Sequence, residues 1–200
     1  MEKEGITMQA QKEVMNKIKK ERIAIFIDGN NFYHSIREIL KPNERIDYYK
    51  LINLLAEERD LILALYYVAP LDKEVDYNKY LKHQEFLSKL DQIPKFKVIL
   101  CSFKKIKQIN GNFTYIIKGD DIKLAHDLLL GSFDNRFDVA TIVSGDEDFL
   151  PLITTIRKRF GKKVGNAYFR RSSSYKLRMA CDFYINLNKL IPKFIIRKNN

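Results

Sequence analysis

"VATIVSGDEDFLPLITTIRKRFG" (residues 139–161) is the stretch on which the fold turns. Its first five residues are apolar or β-branched without polar alternation, the pattern of a strand covered on both faces. Ser144 and Gly145 break the run, and Asp146, Glu147 and Asp148 follow in a tight turn. Apolar residues then recur at helical spacing until Gly161, a helix stop. A buried strand feeding directly into a helix is half of a parallel βαβ unit. The chain carries a net charge of +11, so three adjacent carboxylates in this turn need a reason.

The same grammar extends in both directions. "RIAIFIDGNN" (22–31), "LILALYYVAP" (61–70), "FKVILCSFK" (96–104) and "KVGNAYF" (163–169) read as further buried strands. Between them, "NFYHSIREIL" (31–40), "DYYKLINLLAEERD" (47–60), "EVDYNKYLKHQEFLSKLDQI" (74–93), "DDIKLAHDLLLGSF" (120–133) and "SSSYKLRMACDFYINL" (172–187) read as helices, the last running into a short extended end. Asn110-Gly111 between two β-prone runs marks a hairpin. Alternating strands and helices predict an α/β fold with a central, mainly parallel sheet and helices on both faces.

With 200 residues, 46% hydrophobic, the chain suits one globular domain, and no repeat or linker suggests a second. Residues 1–21 hold Met8, Val14, Met15 and Ile18 among Lys, Glu and Gln, which suits a basic amphipathic helix or arm. The domain proper is expected over 22–190, with a basic tail over 191–200. Charge is uneven: from residue 157 to the end there are 13 basic residues and one acid, Asp182, while the preceding part is nearly neutral. Such a field attracts polyanions, nucleic acid first among them. Cys101 and Cys181 lie far apart without metal-ligand spacing and read as core residues. No secretory leader or membrane-spanning run is legible, which implies a cytoplasmic, reducing location without membrane contact.

Ligands of open parallel sheets bind at the carboxyl ends of the strands, near the point where the winding reverses. Asp28 ends the first strand, Asp146 and Asp148 follow "VATIVSG", and Asp120 and Asp121 start a helix after the hairpin. Each acid alone reads as an ordinary N-cap or turn residue. Together they predict a convergent acidic cluster, which a hard divalent cation, Mg²⁺ or Mn²⁺, would stabilise. His34, His83 and His126 form no zinc-like grouping.

"FIDGNNFYHSI", "KGDDIKLAHDLL", "VSGDEDFLPLI" and "SYKLRMACDFYINL", in this order and spacing, resemble the NYN domain of the PIN-like nuclease superfamily, specifically its LabA-like group. The resemblance spans about Arg22 to Leu187. It implies a Rossmann-like three-layer sandwich and an acidic pocket that binds Mg²⁺ or Mn²⁺ for hydrolysis of single-stranded RNA. Asp28, Asp121, Asp146 and Asp148 match the family's acids, and Asn31 matches its asparagine after the first strand. On this reading Asp28, Asp121 and Asp146 are the principal metal-holding carboxylates. Asp148 holds a second metal or orients water, and Asn31 positions water or phosphate. Asn30, Lys118, Ser144, Arg170, Arg171, Lys176 and Arg178 are the expected nucleic-acid contacts.

Asp120 and Glu147 depart from the family pattern and imply a more acidic pocket. Asp127 matches a further family acid, yet it lies about 240° around the helix from Asp121, so the two do not share a face. Tyr168, Phe169 and Tyr175 are candidates for base stacking, against the commoner role of such rings in packing. Four rival readings remain open from the residues alone. They are a nucleic-acid-binding module with a vestigial pocket, a DNA nuclease of the same chemistry, a metal-dependent phosphatase, and an assembly protein that dimerises through its N-terminal helix. The phosphatase is disfavoured, because the first strand ends Asp-Gly-Asn and not Asp-x-Asp.

Overall fold

The computed structural model describes the backbone of residues 20–107 and 113–197, and side chains except those of 103–118. The expected N-terminal helix, the Asn110-Gly111 turn and residues 198–200 lie outside the described residues, as does the Lys118 side chain.

The strands are β1 (Arg22–Asp28), β2 (Glu44–Ile46), β3 (Asp60–Val68), β4 (Phe96–Leu100), β5 (Ser102–Lys107), β6 (Phe113–Lys118), β7 (Val139–Val143), β8 (Lys163–Tyr168), β9 (Phe183–Asn186) and β10 (Ile195–Arg197). The helices are α1 (Gly29–Arg37), α2 (Tyr48–Ala56), α3 (Tyr77–Asp91), α4 (Asp120–Phe133), α5 (Leu150–Phe160), α6 (Tyr175–Ala180) and α7 (Leu187–Phe194). Six parallel strands form the central sheet in the order β4-β3-β1-β7-β8-β9.

The chain first winds outward from β1 through β3 to β4, then returns to the other side of β1 with β7. The winding therefore reverses between β1 and β7, where an open sheet leaves a crevice for a ligand. Ile27 lies in register with Val143, so Asp28 and Ser144 leave the sheet side by side.

One apolar layer packs α1, α2, α3 and α7 against the sheet through Phe32, Leu51, Leu90 and Phe194. The opposite layer packs α4, α5 and α6 through Leu124, Leu128, Ile153, Ile156 and Leu177. These residues are buried because the strands between them present apolar side chains on both faces. The result is the expected three-layer α/β sandwich.

Several local expectations change. "FKVILCSFK" is two strands: β4 pairs with β3, the chain turns at Cys101, and β5 leaves to form an antiparallel hairpin with β6. The extended end after α6 is a full sheet strand, β9. Residues 191–197 complete α7 and form β10, which pairs antiparallel with β2. Phe194 is fully buried, and that anchors this return. Among the described residues no helix is long and apolar enough to cross a membrane.

Candidate active site

Asp28 is the N-cap of α1: its Oδ1 accepts the Asn31 backbone N–H at 3.0 Å. Its Oδ2 accepts the Ser144 hydroxyl at 2.9 Å. The capping role and the site role therefore fall on one side chain, held rigidly at the crevice. Ser144 Oγ also accepts the Asp146 amide at 3.1 Å, and the Asn31 side-chain oxygen accepts the Gly145 amide at 3.2 Å. These bonds stitch the end of β1 to the turn after β7.

Gly145 is required by close approach. A Cβ there would stand 1.4 Å from the Ser172 carbonyl oxygen, and the Ser174 amide donates to the Gly145 carbonyl at 3.0 Å. The turn is thus clamped under the 3₁₀ turn Arg170–Ser172. A second hydroxyl pair, Ser35 with Ser172 at 2.7 Å, ties that turn to α1.

The third segment arrives from the hairpin. Gly119, at φ +83°, swings the chain from β6 into α4, and no side chain caps this helix. Asp120 and Asp121 occupy its first turn, where the helix dipole favours carboxylates. Oxygens of Asp28, Asp120 and Asp121 all lie within 4.8 Å of one another.

These groups line an open cleft of about 350 Å³ together with Asn30, Asn31, His34, Ser35, Glu38, Asp146, Arg171 and Ser172. Burial raises the Asp28 carboxyl above its ordinary range, the neighbouring Asp120 and Asp146 push it the same way, and its two hydrogen bonds oppose them. The Asp121 carboxyl is pushed up to about 6, first by lost hydration and then by the charges of Asp120, Asp28, Asp146 and Asp148. Among the described residues no ion pair neutralises Asp28, Asp120, Asp121 or Asp146. Four carboxylates with hard oxygens and, among the described residues, no ion-paired cation fit a divalent metal ion.

The three acids of the turn divide. Asp146 lines the cleft, and its Oδ1 caps the following turn by accepting the Asp148 amide at 2.9 Å. Glu147 points elsewhere: it binds Lys176 Nζ at 2.8 Å and accepts the Ser174 hydroxyl at 2.9 Å. Asp148 is exposed and does not line the cleft. Asp127 accepts the Tyr67 hydroxyl at 2.9 Å and stands beside His126, on another side of α4.

Of the expected nucleic-acid contacts, Asn30 and Arg171 line the cleft. Arg171 reaches across to Glu38 at 3.1 Å. Ser144 is buried behind Asp28. Lys176 is engaged by Glu147, while Arg178 bonds Ser173 and lies over the Tyr168 and Tyr175 rings. Arg170 is exposed, and its amide donates to Asn188. Phe169 is core, and Tyr175 is exposed.

Sequence reasoning put Asp120 in the convergent acidic cluster but not among the metal-holding carboxylates, and it did not place His34, Ser35 and Glu38 on the wall. The signal existed for the wall: Asn31, His34, Ser35 and Glu38 recur at helical spacing opposite the buried Phe32 and Ile36.

The NYN domain family model matches residues 22–188, the span that holds all three acid-bearing segments. The chain belongs to the NYN domain family. This places it in the PIN-like nuclease superfamily. A crystal structure of a protein of unknown function from Vibrio parahaemolyticus is similar, with 26% identity and a TM-score of 0.67. It covers 90% of this chain and 99% of its own. No curated protein matched the chain. This NYN domain thus has a nuclease-type fold, with an acidic cluster at the switch point of its sheet.

Proposed function

We propose that this NYN protein is a divalent-metal-dependent ribonuclease that hydrolyses phosphodiester bonds of single-stranded RNA in the acidic cleft. The observation that carries the reading is the convergence of Asp28, Asp120 and Asp121, with Asp146 on the same wall. Asp28, Asp120 and Asp121 would hold Mg²⁺ or Mn²⁺. When bound, such an ion supplies charge neutralisation at the phosphate and a more acidic water.

The remaining roles belong to the chain. Asp28 is fixed by the Asn31 amide and the Ser144 hydroxyl, so its oxygens cannot turn from the cleft. Asn31 fixes the turn that carries Asp146, through the Gly145 amide, and is a positioning residue. Arg171, with 86% of its side chain exposed, can leave Glu38 for a phosphate at little cost, since exposed ion pairs contribute at most about 1 kcal/mol. The basic field from residue 157 onward supports a polyanionic substrate. The choice of RNA over DNA rests on the NYN family resemblance.

The test is cleavage of a labelled single-stranded RNA, with a DNA control, in Mn²⁺, Mg²⁺ or EDTA. Metal-dependent cutting should fall roughly a hundred-fold or more in Asp121→Asn, at least the loss seen when a metal's supporting shell is removed. Binding of RNA without cutting under any metal would leave a binding module in place of the nuclease.

A further inference from the structure

The outward face of α4 is apolar where a surface helix is usually polar. Leu124 and Leu128 face the core, while Ile122, Leu129 and Phe133 are 75%, 39% and 70% exposed. With the exposed His126 they fall within about 60° of one another around the helix, on the side opposite the core residues. Phe133 meets Phe160 of α5 edge-on, with ring centroids 6.2 Å apart, so the strip continues onto α5. A continuous exposed apolar strip of this kind marks a contact surface.

The spacing points to the occupant. Ile122, His126, Leu129 and Phe133 recur at steps of four, three and four, the seam of a helix that packs on another helix. That series reads the same from either end. A helix of the same sequence laid antiparallel therefore sets Ile122 against the partner's Phe133 and His126 against the partner's Leu129, and each contact occurs twice about a two-fold axis. We propose that α4 is the interface of a symmetric homodimer, packed antiparallel on α4 of a second copy.

Charge agrees with this pairing. Lys123 and Asp134 are exposed on one flank of the strip, near its two ends. Antiparallel packing brings like flanks together, so Lys123 of each copy faces the partner's Asp134. In the single chain Lys123 donates to the Leu100 carbonyl and Asp134 pairs with Arg136, exposed contacts that exchange at little cost. The acidic cleft lies at the N-terminal end of α4, so the pair holds its two clefts at opposite ends. The dimer is independent of the nuclease reading and would form in an inactive protein.

Sedimentation velocity of the full chain at micromolar concentrations should show a dimer. Phe133→Asp or Ile122→Lys should weaken association roughly a hundred-fold or more, because each substitution is buried twice across the axis. Both positions are exposed in the single chain, and circular dichroism checks that the variants stay folded. Leu81→Asp, at an exposed apolar position of α3, should leave the dimer intact. Cross-linking reads the register: Ile122→Cys and Phe133→Cys chains, mixed, should form a disulfide-linked dimer. Neither should do so alone, since like positions lie about 16 Å apart along the pair. Cys101 is buried and Cys181 half-buried, so the native thiols give little background. A chain that stays monomeric, a dimer that survives both charge substitutions or is lost equally in Leu81→Asp, or a mixture that cross-links no better than its components would overturn the proposal.

Discussion

Two acidic turns meet at the cleft and are treated in opposite ways. The turn after β7 carries three acids, and the protein supplies partners for two of them. Asp146 takes the Asp148 amide, Glu147 takes Lys176 and Ser174, and Asn31 and Ser144 pin the backbone between them. The turn into α4 carries two acids beside buried Asp28, with no side-chain cap and no ion pair among the described residues. Its Asp121 is consequently pushed up to about 6. Similar local charge is largely satisfied internally in one turn and left without an ion-pair partner among the described residues in the other. An acid-rich segment is therefore informative about binding only once its internal partners have been counted.

The comparison breaks most visibly at Gly145. If the β7 turn is rigid because it is clamped, Gly145→Ala must drive a Cβ into the Ser172 carbonyl. Urea denaturation should show a loss of about 3 kcal/mol or more, in line with overpacked sites. An unchanged midpoint would mean that the Arg170–Ser172 turn moves aside freely.

Ser144→Ala removes the donor to the buried Asp28 Oδ2 and the acceptor of the Asp146 amide. A loss of about 2 kcal/mol is expected, because a buried charged acceptor loses a partner. The Asp28 carboxyl should also titrate higher, as read from its ¹³C shift.

Asp121 sharpens the other side. Its carboxyl sits at about 6 in the fold against an ordinary 3.8, so the fold binds the proton more tightly than the unfolded chain. The stability this gives is full below about 4 and is lost as pH rises through 6. At pH 7 the metal-free Asp121→Asn variant should therefore be more stable than wild type by about 1 kcal/mol, a figure discounted for solvent screening. The advantage should vanish at pH 4 in paired thermal melts.

Much of this arrangement is legible in the residues. β1, β3 and β7 are mainly apolar runs, and the ends of β1 and β7 place Asp28 and Asp146 at one edge without any structure. The 14-residue helix α4 is bounded as its sequence predicts, by Gly119 before it and by the end of its apolar periodicity. β2 and β10 are not legible: each has three residues, and their pairing joins segments some 150 residues apart that carry no alternation. α7 is hidden by Pro192, which reads as a breaker yet lies close enough to the helix end for the turn to persist. That Asp120 belongs to the cluster is legible, but its place as a candidate ligand beside Asp28 and Asp121 depends on the swing at Gly119, a backbone angle that adjacent residue types do not reveal.

The central claim, that the α4 turn and Asp28 hold a divalent ion while the β7 turn is satisfied by the protein, is tested most directly by Mn²⁺ binding. Electron paramagnetic resonance of the free ion at pH 7.5 would compare wild type, Asp121→Asn and Glu147→Gln. The account predicts that Asp121→Asn weakens binding by roughly ten-fold or more, while Glu147→Gln binds as wild type does. Equal affinity in all three proteins, or a loss confined to Glu147→Gln, would contradict it.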